Sequence, residues 1–268
     1  MAGAEPTPAA ERTADGVRRM FDRVAPRYDL ANTVFSLGQD RAWRQAAARA
    51  AGLADGQRAV DVACGTGALT RELAASAPGA MVLGVDFSWE MVRRAADAPG
   101  PPGHPPGPRS TGAPRWGSPD PSGRTPPAIY LVGDALRLPL RDSSVDVVTI
   151  AFGLRNLPEP GRGLLEFRRV LRPGGRLVVC EFSQPVVPVL RGVYRRYLTR
   201  LMPVAARRLT SDPEAYQYLA RSIGAWPDQA GLAVWLQQAD FTQVAWRDLS
   251  GGIVALHRAT ARRPAGSR

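Results

Sequence analysis

From Ala59 onward the apolar positions fall into two patterns that alternate along the chain. Short continuous runs occur at AVDVA (59–63), MVLGV (81–85), IYLV (129–132), VDVVTIA (145–151) and RLVVCEF (176–182). Runs of this length, bounded by Gly, Pro or charged residues, predict buried strands. Between them apolar residues recur at helical spacing, predicting helices over 69–77, 88–98 and 161–171, with Ser88 as a side-chain N-cap. Strands alternating with helices imply parallel pairing through right-handed crossovers. The link RPGG (172–175) reads as the turn into the fifth strand.

The flanks read differently. Val17, Met20, Phe21 and Val24 keep helical spacing up to Pro26, and a helix resumes after Gly38 through Trp43 to Ala51. These segments precede the sheet and predict a helical N-terminal lid. Residues 188–208 predict a basic helix with Leu190, Tyr194, Tyr197, Leu198, Leu201 and Met202 on one face and Arg191, Arg195, Arg196 and Arg200 around the rest. Helices over 212–223 and 227–238 follow. The pair 242–247 and 253–258, around Ser250-Gly-Gly, predicts a hairpin that closes the sheet. One domain over 15–260 is expected, with 186–238 a helical insertion facing substrate or membrane and 1–14 and 261–268 as tails. Residues 99–127 are dominated by Pro and Gly without periodicity and predict a disordered insertion; His104 and Trp116 inside it carry no weight as site residues.

Composition adjusts this picture only a little. The 268 residues, 44% of them hydrophobic, suffice for a sizeable core. A formal charge of +11 points to anionic partners, a membrane surface before nucleic acid, because no aromatic–basic RNA-stacking motif is present. The excess is nearly all Arg beside abundant Ala, Gly and Pro, which GC-rich coding produces equally well. Cys64 and Cys180 sit in apolar runs, so free thiols in a reducing cytoplasm are expected. No apolar run reaches the length of a membrane span, and the N-terminus lacks the apolar core of a signal peptide. No metal ligand set is expected, and a homodimer is left open.

The chemistry gathers at VDVACGTGALTREL (60–73). Gly65 and Gly67 allow a tight turn between strand and helix, and the new helix points free N–H groups at whatever lies beyond the strand. Asp86 ends the second strand, nineteen residues past Gly67, placed to accept from ribose hydroxyls. Leu69 and Thr70 stand where a dinucleotide fingerprint has its third glycine. That favours a ligand with an adenosine and no pyrophosphate. With GDA (133–135) after the third strand, the order of motifs resembles the Rossmann-like S-adenosylmethionine-dependent methyltransferases. Asp61 as a turn acceptor and Asp134 as a helix N-cap are the competing readings.

YDLANTVFSLGQDRAW (28–43), FGLRN (152–156), RVLRPGGRLVVCEFS (169–183), DPEAYQYLARSIGAWPDQAGL (212–232) and GGIVALHR (251–258) resemble the signatures of the UbiE/MenG/COQ5 family. The resemblance spans 15–258 apart from the Pro/Gly insertion. It implies an α/β Rossmann-like fold, a seven-stranded mixed sheet with helices on both faces, and C-methylation of a polyprenyl quinol with S-adenosylmethionine. By the family's pattern Thr66, Asp86, Asp134 and Ala135 contact the cofactor, with Gly65, Gly67 and Asp61 close by. The chain departs from the pattern at Ala31-Asn32, at Asp40 where a His is frequent, and at Ala151 in place of a cofactor-contacting Ser. Within the family the SLGQDRAW wording is most like actinobacterial members, which implies demethylmenaquinol as substrate and contact with the inner face of an anionic membrane. A benzoquinol or another small aromatic is the alternative substrate, and a membrane- or RNA-binding Rossmann-like module the non-enzymatic one. Arg155, Asn156 and Tyr28 are the candidate catalytic residues. Arg155 would stabilise the quinolate, or else form an ion pair that holds the lid; packing is the alternative for Tyr28 and Trp43.

Overall fold

A computed structural model describes residues 36–98, 128–201 and 213–263, with isolated positions at 16, 19, 20, 22, 23, 25 and 33. The expected disordered insertion over 99–127, the tail 1–14, most of the tail 261–268 and most of the predicted lid, Tyr28 included, lie outside the described residues; Ala261 of the expected tail ends a strand.

Seven strands form one sheet in the order β3-β2-β1-β4-β5-β7-β6. They are β1 (Arg58–Val62), β2 (Met81–Asp86), β3 (Ile129–Val132), β4 (Val145–Ala151), β5 (Leu171–Phe182), β6 (Phe241–Leu249) and β7 (Val254–Ala261). β1 to β5 pair in parallel, and β7 runs antiparallel between β5 and β6. The mixed sheet and its closing hairpin are as the sequence predicts. One boundary differs. RPGG does not precede β5 but lies within it: Leu171 pairs with Val145, Arg176 with Val147, and the register shifts between them. A backbone that already has a partner on both sides of a Gly-Gly bend keeps pairing through a bulge.

The pleat sends alternate residues to two faces. Val60, Val62, Leu83, Val85, Val148, Ile150, Leu177 and Val179 fill one core with Leu164 and Phe167 of α4 (Pro160–Val170) and Leu232 and Leu236 of α7 (Gln229–Gln238). Ala59, Val82, Val147, Val178 and Cys180 fill the other with α1 (Asp40–Ala51) and α2 (Ala68–Ser76). The alanines of α1, DRAWRQAAARAA, let it lie close against α2 and the sheet. α3 (Trp89–Asp97) starts at Ser88, whose Oγ accepts from Met91 N at 3.1 Å, as expected of an N-cap. The same hydroxyl donates to Asp22 Oδ1 at 2.5 Å.

α5 (Pro188–Arg196), its π-helical extension Tyr197–Leu201, and α6 (Pro213–Gly224) form a third layer at the carboxyl end of the sheet. Tyr194, Leu198 and Ile223 pack there with Phe182 and Ile253. Among the described residues no helix is long and apolar enough to cross a membrane.

Candidate active site

β1 and β4 are the strands at which the sheet order reverses, so the connections leaving them diverge and open a crevice at their carboxyl ends. The chain turns sharply there on both sides. Ala63 and Phe152, each just past the end of its strand, take φ of 51° and 58°. Such left-handed non-glycine residues cost of order 1 kcal/mol or more, and tight packing holds them. Gly67 has φ of 78° and caps α2. An added Cβ would meet Tyr130 Oη at 2.7 Å, so the turn is closed to larger residues. Gly153 lets the β4 turn lie against the β1 turn, its would-be Cβ 2.6 Å from Ala63 Cβ.

A small cavity of about 30 Å³ lies in this crevice. Asp61, Gly65 and Thr66 line it, as do Phe152 and Arg44. The Asp61 carboxylate is buried, accepting from Thr70 Oγ1 at 2.7 Å and Thr149 Oγ1 at 2.8 Å. Burial pushes its carboxyl up to about 6, against the two hydroxyls that hold it down. Asp61 therefore ties β1 to α2 and β4 while lining the cavity, its donors being a helix and a strand hydroxyl rather than groups of the turn. Asp86, at the end of β2, accepts from Gly65 N at 2.8 Å and Ser88 N at 2.9 Å, and burial pushes it too up to about 6. Two buried carboxylates beside a glycine turn suit a ligand that brings hydroxyl donors and positive charge.

Asp134 and Ala135 follow β3, two strands from β1, and line neither this cavity nor the larger one. Asp134 is exposed and its Oδ1 accepts from Leu136 N at 2.8 Å. The expected helix cap is thus a local turn, because no helix follows.

A second cavity, of about 950 Å³, opens beyond the first, and Arg44 and Phe152 line both. Its walls come from α1, the ends of β4 and β5, α5, the π-helical extension and α6, and most of the wall is apolar. Trp43, Phe152 and Phe182 pack ring against ring on one side, with centroids 5.0 to 6.4 Å apart. Arg155 lies on the 3₁₀ turn Leu154–Asn156 after β4. Its Nη1 donates to Glu181 Oε1 at 2.8 Å and to Phe152 O at 2.5 Å, and its guanidinium stands 5.1 Å from the Phe182 ring centroid. The ion pair is buried, with side-chain exposures of 6% and 1%. Arg155 does form an ion pair, but with Glu181 of the sheet strand β5 rather than with the N-terminal segment. Asn156 Nδ2 donates to the same Phe152 carbonyl at 3.2 Å.

Two buried polar atoms of lining residues have no hydrogen-bond partner, Arg155 Nε and Tyr194 Oη, and Asn156 Oδ1 next to Arg155 in sequence has none either. Burial raises the Tyr194 hydroxyl above its ordinary range while the nearby Arg155 charge lowers it. Tyr194, Arg44 and Glu181 were not expected from sequence as site residues. Glu181 left a signal: an acid inside the apolar run RLVVCEF requires a buried partner. Of the nine candidate residues that the described chain includes, Asp61, Gly65, Thr66, Asp86 and Gly67 gather at the small cavity and its rim. Arg155 lines the large one, and Asn156 bonds the carbonyl of Phe152 beside it without lining it.

The ubiE/COQ5 methyltransferase family model matches residues 9–98 and 124–261, and a general methyltransferase domain matches 60–179. The chain is 48% identical to a demethylmenaquinone methyltransferase of Mycobacterium sp. (strain KMS), covering 91% of this chain and 93% of that one. It is 49% identical to the protein of that name from Parafrankia sp. (strain EAN1pec), over 96% and 97%. Among solved structures it resembles the [4+2]-cyclase SpnF, with a TM-score of 0.57, 19% identity and coverage of 94% and 97%. It also resembles an S-adenosylmethionine-dependent methyltransferase of Methanosarcina mazei, with a TM-score of 0.52, 22% identity and coverage of 79% and 95%.

Proposed function

We propose, from the premise that this chain belongs to the ubiE/COQ5 methyltransferase family, that it C-methylates demethylmenaquinol. The observation that carries the reading is the large apolar cavity, which meets the small one at Arg44 and Phe152 and bears three unpartnered polar atoms on or beside its wall. An aromatic ring with two oxygens and an apolar tail matches that lining. S-Adenosylmethionine, when bound, supplies a methyl group already activated on a sulfonium.

In this reading Gly65, Gly67, Thr66, Asp61 and Asp86 form the cofactor site, Asp86 accepting from the ribose. Asp134 and Ala135 complete it at the adenine end, where Asp134 would exchange its local turn bond for the base. The chain's main task at the substrate is placement, because holding carbon, methyl and sulfur in line is worth several kcal/mol. Glu181 fixes one edge of the Arg155 guanidinium, and the free Nε edge faces the ring oxygen. The guanidinium charge favours the quinolate over the quinol; once the ring carbon has taken the methyl, it loses its own hydrogen as a proton and the ring oxygen regains one, so that one proton in net passes to water. Asn156 Oδ1 and Tyr194 Oη orient the ring oxygens, and Tyr28 serves the same end from the N-terminal segment.

The mouth of the large cavity supports docking to an anionic bilayer, from which the substrate's tail would enter. Leu37, Val189 and Val193 line the cavity and are 84%, 77% and 61% exposed. Arg191, Arg195 and Arg196 stand exposed on the same helix. Apolar residues ringed by arginines suit an interfacial helix. Flotation with anionic vesicles and its loss in Val189→Asp/Val193→Asp support docking; equal flotation with neutral vesicles refutes the electrostatic part.

Substrate identity is tested with purified protein, S-adenosylmethionine and reduced short-tailed demethylmenaquinone beside the corresponding benzoquinol, read by mass spectrometry. Methylation of the naphthoquinol supports the reading. Methylation of the benzoquinol alone, or of neither while S-adenosylhomocysteine binds, overturns it. Loss of menaquinone with accumulation of the demethyl form in a deletion strain checks the same assignment in the cell.

A further inference from the structure

We infer that Arg44 receives the carboxylate of the cofactor's amino-acid end and that Asp40 aims it. The inference rests on S-adenosylmethionine as the methyl donor. Arg44 is the one cationic side chain lining the small cavity among the described residues; the rest of that wall offers Asp61, a thiol, a threonine and apolar or glycine surface.

The ligand's chemistry requires such a group there. On one short chain it carries a sulfonium, an ammonium and a carboxylate. The sulfonium has to face the large cavity for transfer to a ring held there, so the amino-acid end lies near the junction of the two cavities. Arg44 and Phe152 form that junction. A carboxylate entering beside buried Asp61, which lines the same cavity, meets a like charge and requires a cation.

Arg44 is prepared for this. Its Nη1 donates to Asp40 Oδ2 at 2.6 Å, and Asp40 accepts in turn from Ser36 Oγ at 3.1 Å. Asp40 is its only hydrogen-bond acceptor among the described residues, so the remaining donors of the fork are left for a ligand. The preceding residue fixes the helix: Trp43 Nε1 donates to Ser250 Oγ at 2.9 Å, and Ser250 also bonds Gln39. Arg155 cannot serve instead, because its Nη1 is committed to Glu181 and the Phe152 carbonyl and it lines only the large cavity. The two guanidiniums thus divide the work, Arg155 at the ring oxygen and Arg44 at the cofactor.

Calorimetric titration of the full chain with two probes tests this: S-adenosylhomocysteine, and its decarboxylated analogue, which keeps the adenosine and the amine. Arg44→Ala should weaken S-adenosylhomocysteine about tenfold or more, the scale of a charge-assisted bidentate contact, and leave the analogue within about twofold. Unchanged binding of the analogue also shows the variant to be folded. Arg44→Lys should restore part of the loss, since it keeps the charge and not the fork. Asp40→Asn should show a smaller loss confined to S-adenosylhomocysteine. Equal losses on both probes, or none on either, overturn the assignment of Arg44. If the unaltered chain binds neither probe, the methyl-donor reading falls with it.

Discussion

Removing the Arg155 guanidinium should loosen the fold as well as silence the reaction, and the two effects can be separated. Glu181 accepts from Arg155 Nη1 at 2.8 Å, from Phe182 N at 2.9 Å and from Arg155 N at 3.3 Å, with only 1% of its side chain exposed. Arg155→Ala takes away the charge and leaves the carboxylate buried. Breaking a buried pair in this way costs about 3–5 kcal/mol. Against a total stability of about 5–15 kcal/mol that is a large fraction. At about 2–4 °C per kcal/mol for a domain of this size, melting should fall by roughly 6–20 °C. Glu181→Gln should also lower it, since Arg155 then keeps its charge without a partner. Replacing both, as Arg155→Met/Glu181→Met, should return most of the lost stability, because an apolar pair of similar volume often matches a buried ion pair. The assay is thermal melting of the three variants beside turnover and S-adenosylhomocysteine binding. If Arg155 acts on the ring oxygen, the double variant melts near the parent, binds S-adenosylhomocysteine and does not turn over. Turnover by a well-folded double variant would refute the catalytic role. A fall of less than about 2 °C in Arg155→Ala would refute the energetics of the pair.

The pH dependence of stability should carry the signature of two buried acids. Asp61 and Asp86 are pushed up to about 6 from an ordinary 3.8, so between about pH 4 and 6 the folded chain holds protons that the unfolded chain has released. Stability from these groups should fall as pH rises through that window, by up to roughly 3 kcal/mol each, and denaturant titrations should show a flatter slope in Asp61→Asn; an unchanged slope would count against the burial argument. S-Adenosylhomocysteine affinity should run the other way and weaken below about pH 6, as Asp86 gains a proton and becomes a poorer acceptor for ribose hydroxyls. Gly67→Ala meets both a φ of 78° and Tyr130 Oη at 2.7 Å, so it should lower melting by several degrees and abolish cofactor binding; normal binding would refute the tight-turn reading. Burial pushes the Cys64 and Cys180 thiols well above their ordinary range, so a thiol reagent at pH 8 should label neither until denaturant is added, and fast native labelling would contradict their placement.

Much of the fold was legible because it depends on local pattern. Five apolar runs became five parallel strands, Ser88 capped its helix, and Ser250-Gly-Gly joined the closing hairpin. The glycine turn was legible for the same reason: Gly65, Gly67 and Asp86 are linked by chain geometry within one strand–helix–strand unit. RPGG misled because a turn motif cannot reveal that its neighbours on β4 continue to pair. Arg44 and Asp40 were hidden in a different way. In DRAWRQAAARAA they look like the solvated face of an amphipathic helix, and only the docking of α1 on the strand ends turns that face into a cavity wall. Tyr194 looked like one more apolar contact. Its unpartnered hydroxyl is visible only once Arg155 has been brought beside it from far along the chain.

The likeness to a cyclase and to a methyltransferase at nearly equal fold similarity shows that the sheet alone does not select the reaction. What the sheet supplies is a crevice at the β1/β4 reversal, with Asp61 and Asp86 buried beside it. Selection must then lie in whatever closes that crevice. Here three helices from both flanks of the sheet do so: α1 from before β1, and α5 and α6 from between β5 and β6. They add Arg44 at the meeting of the two cavities and an apolar chamber of about 950 Å³ behind it. The small cavity adjoins that chamber, since Arg44 and Phe152 line both. The chamber's mostly apolar wall favours a largely apolar occupant, and Arg155 and Tyr194 on that wall carry unpartnered polar atoms. Exchanging α5 and α6 between relatives with different substrates should therefore move substrate choice and leave cofactor affinity in place, because neither helix lines the small cavity. A chimera that changed cofactor affinity as strongly as substrate choice would show that the two cavities are not separable in this way.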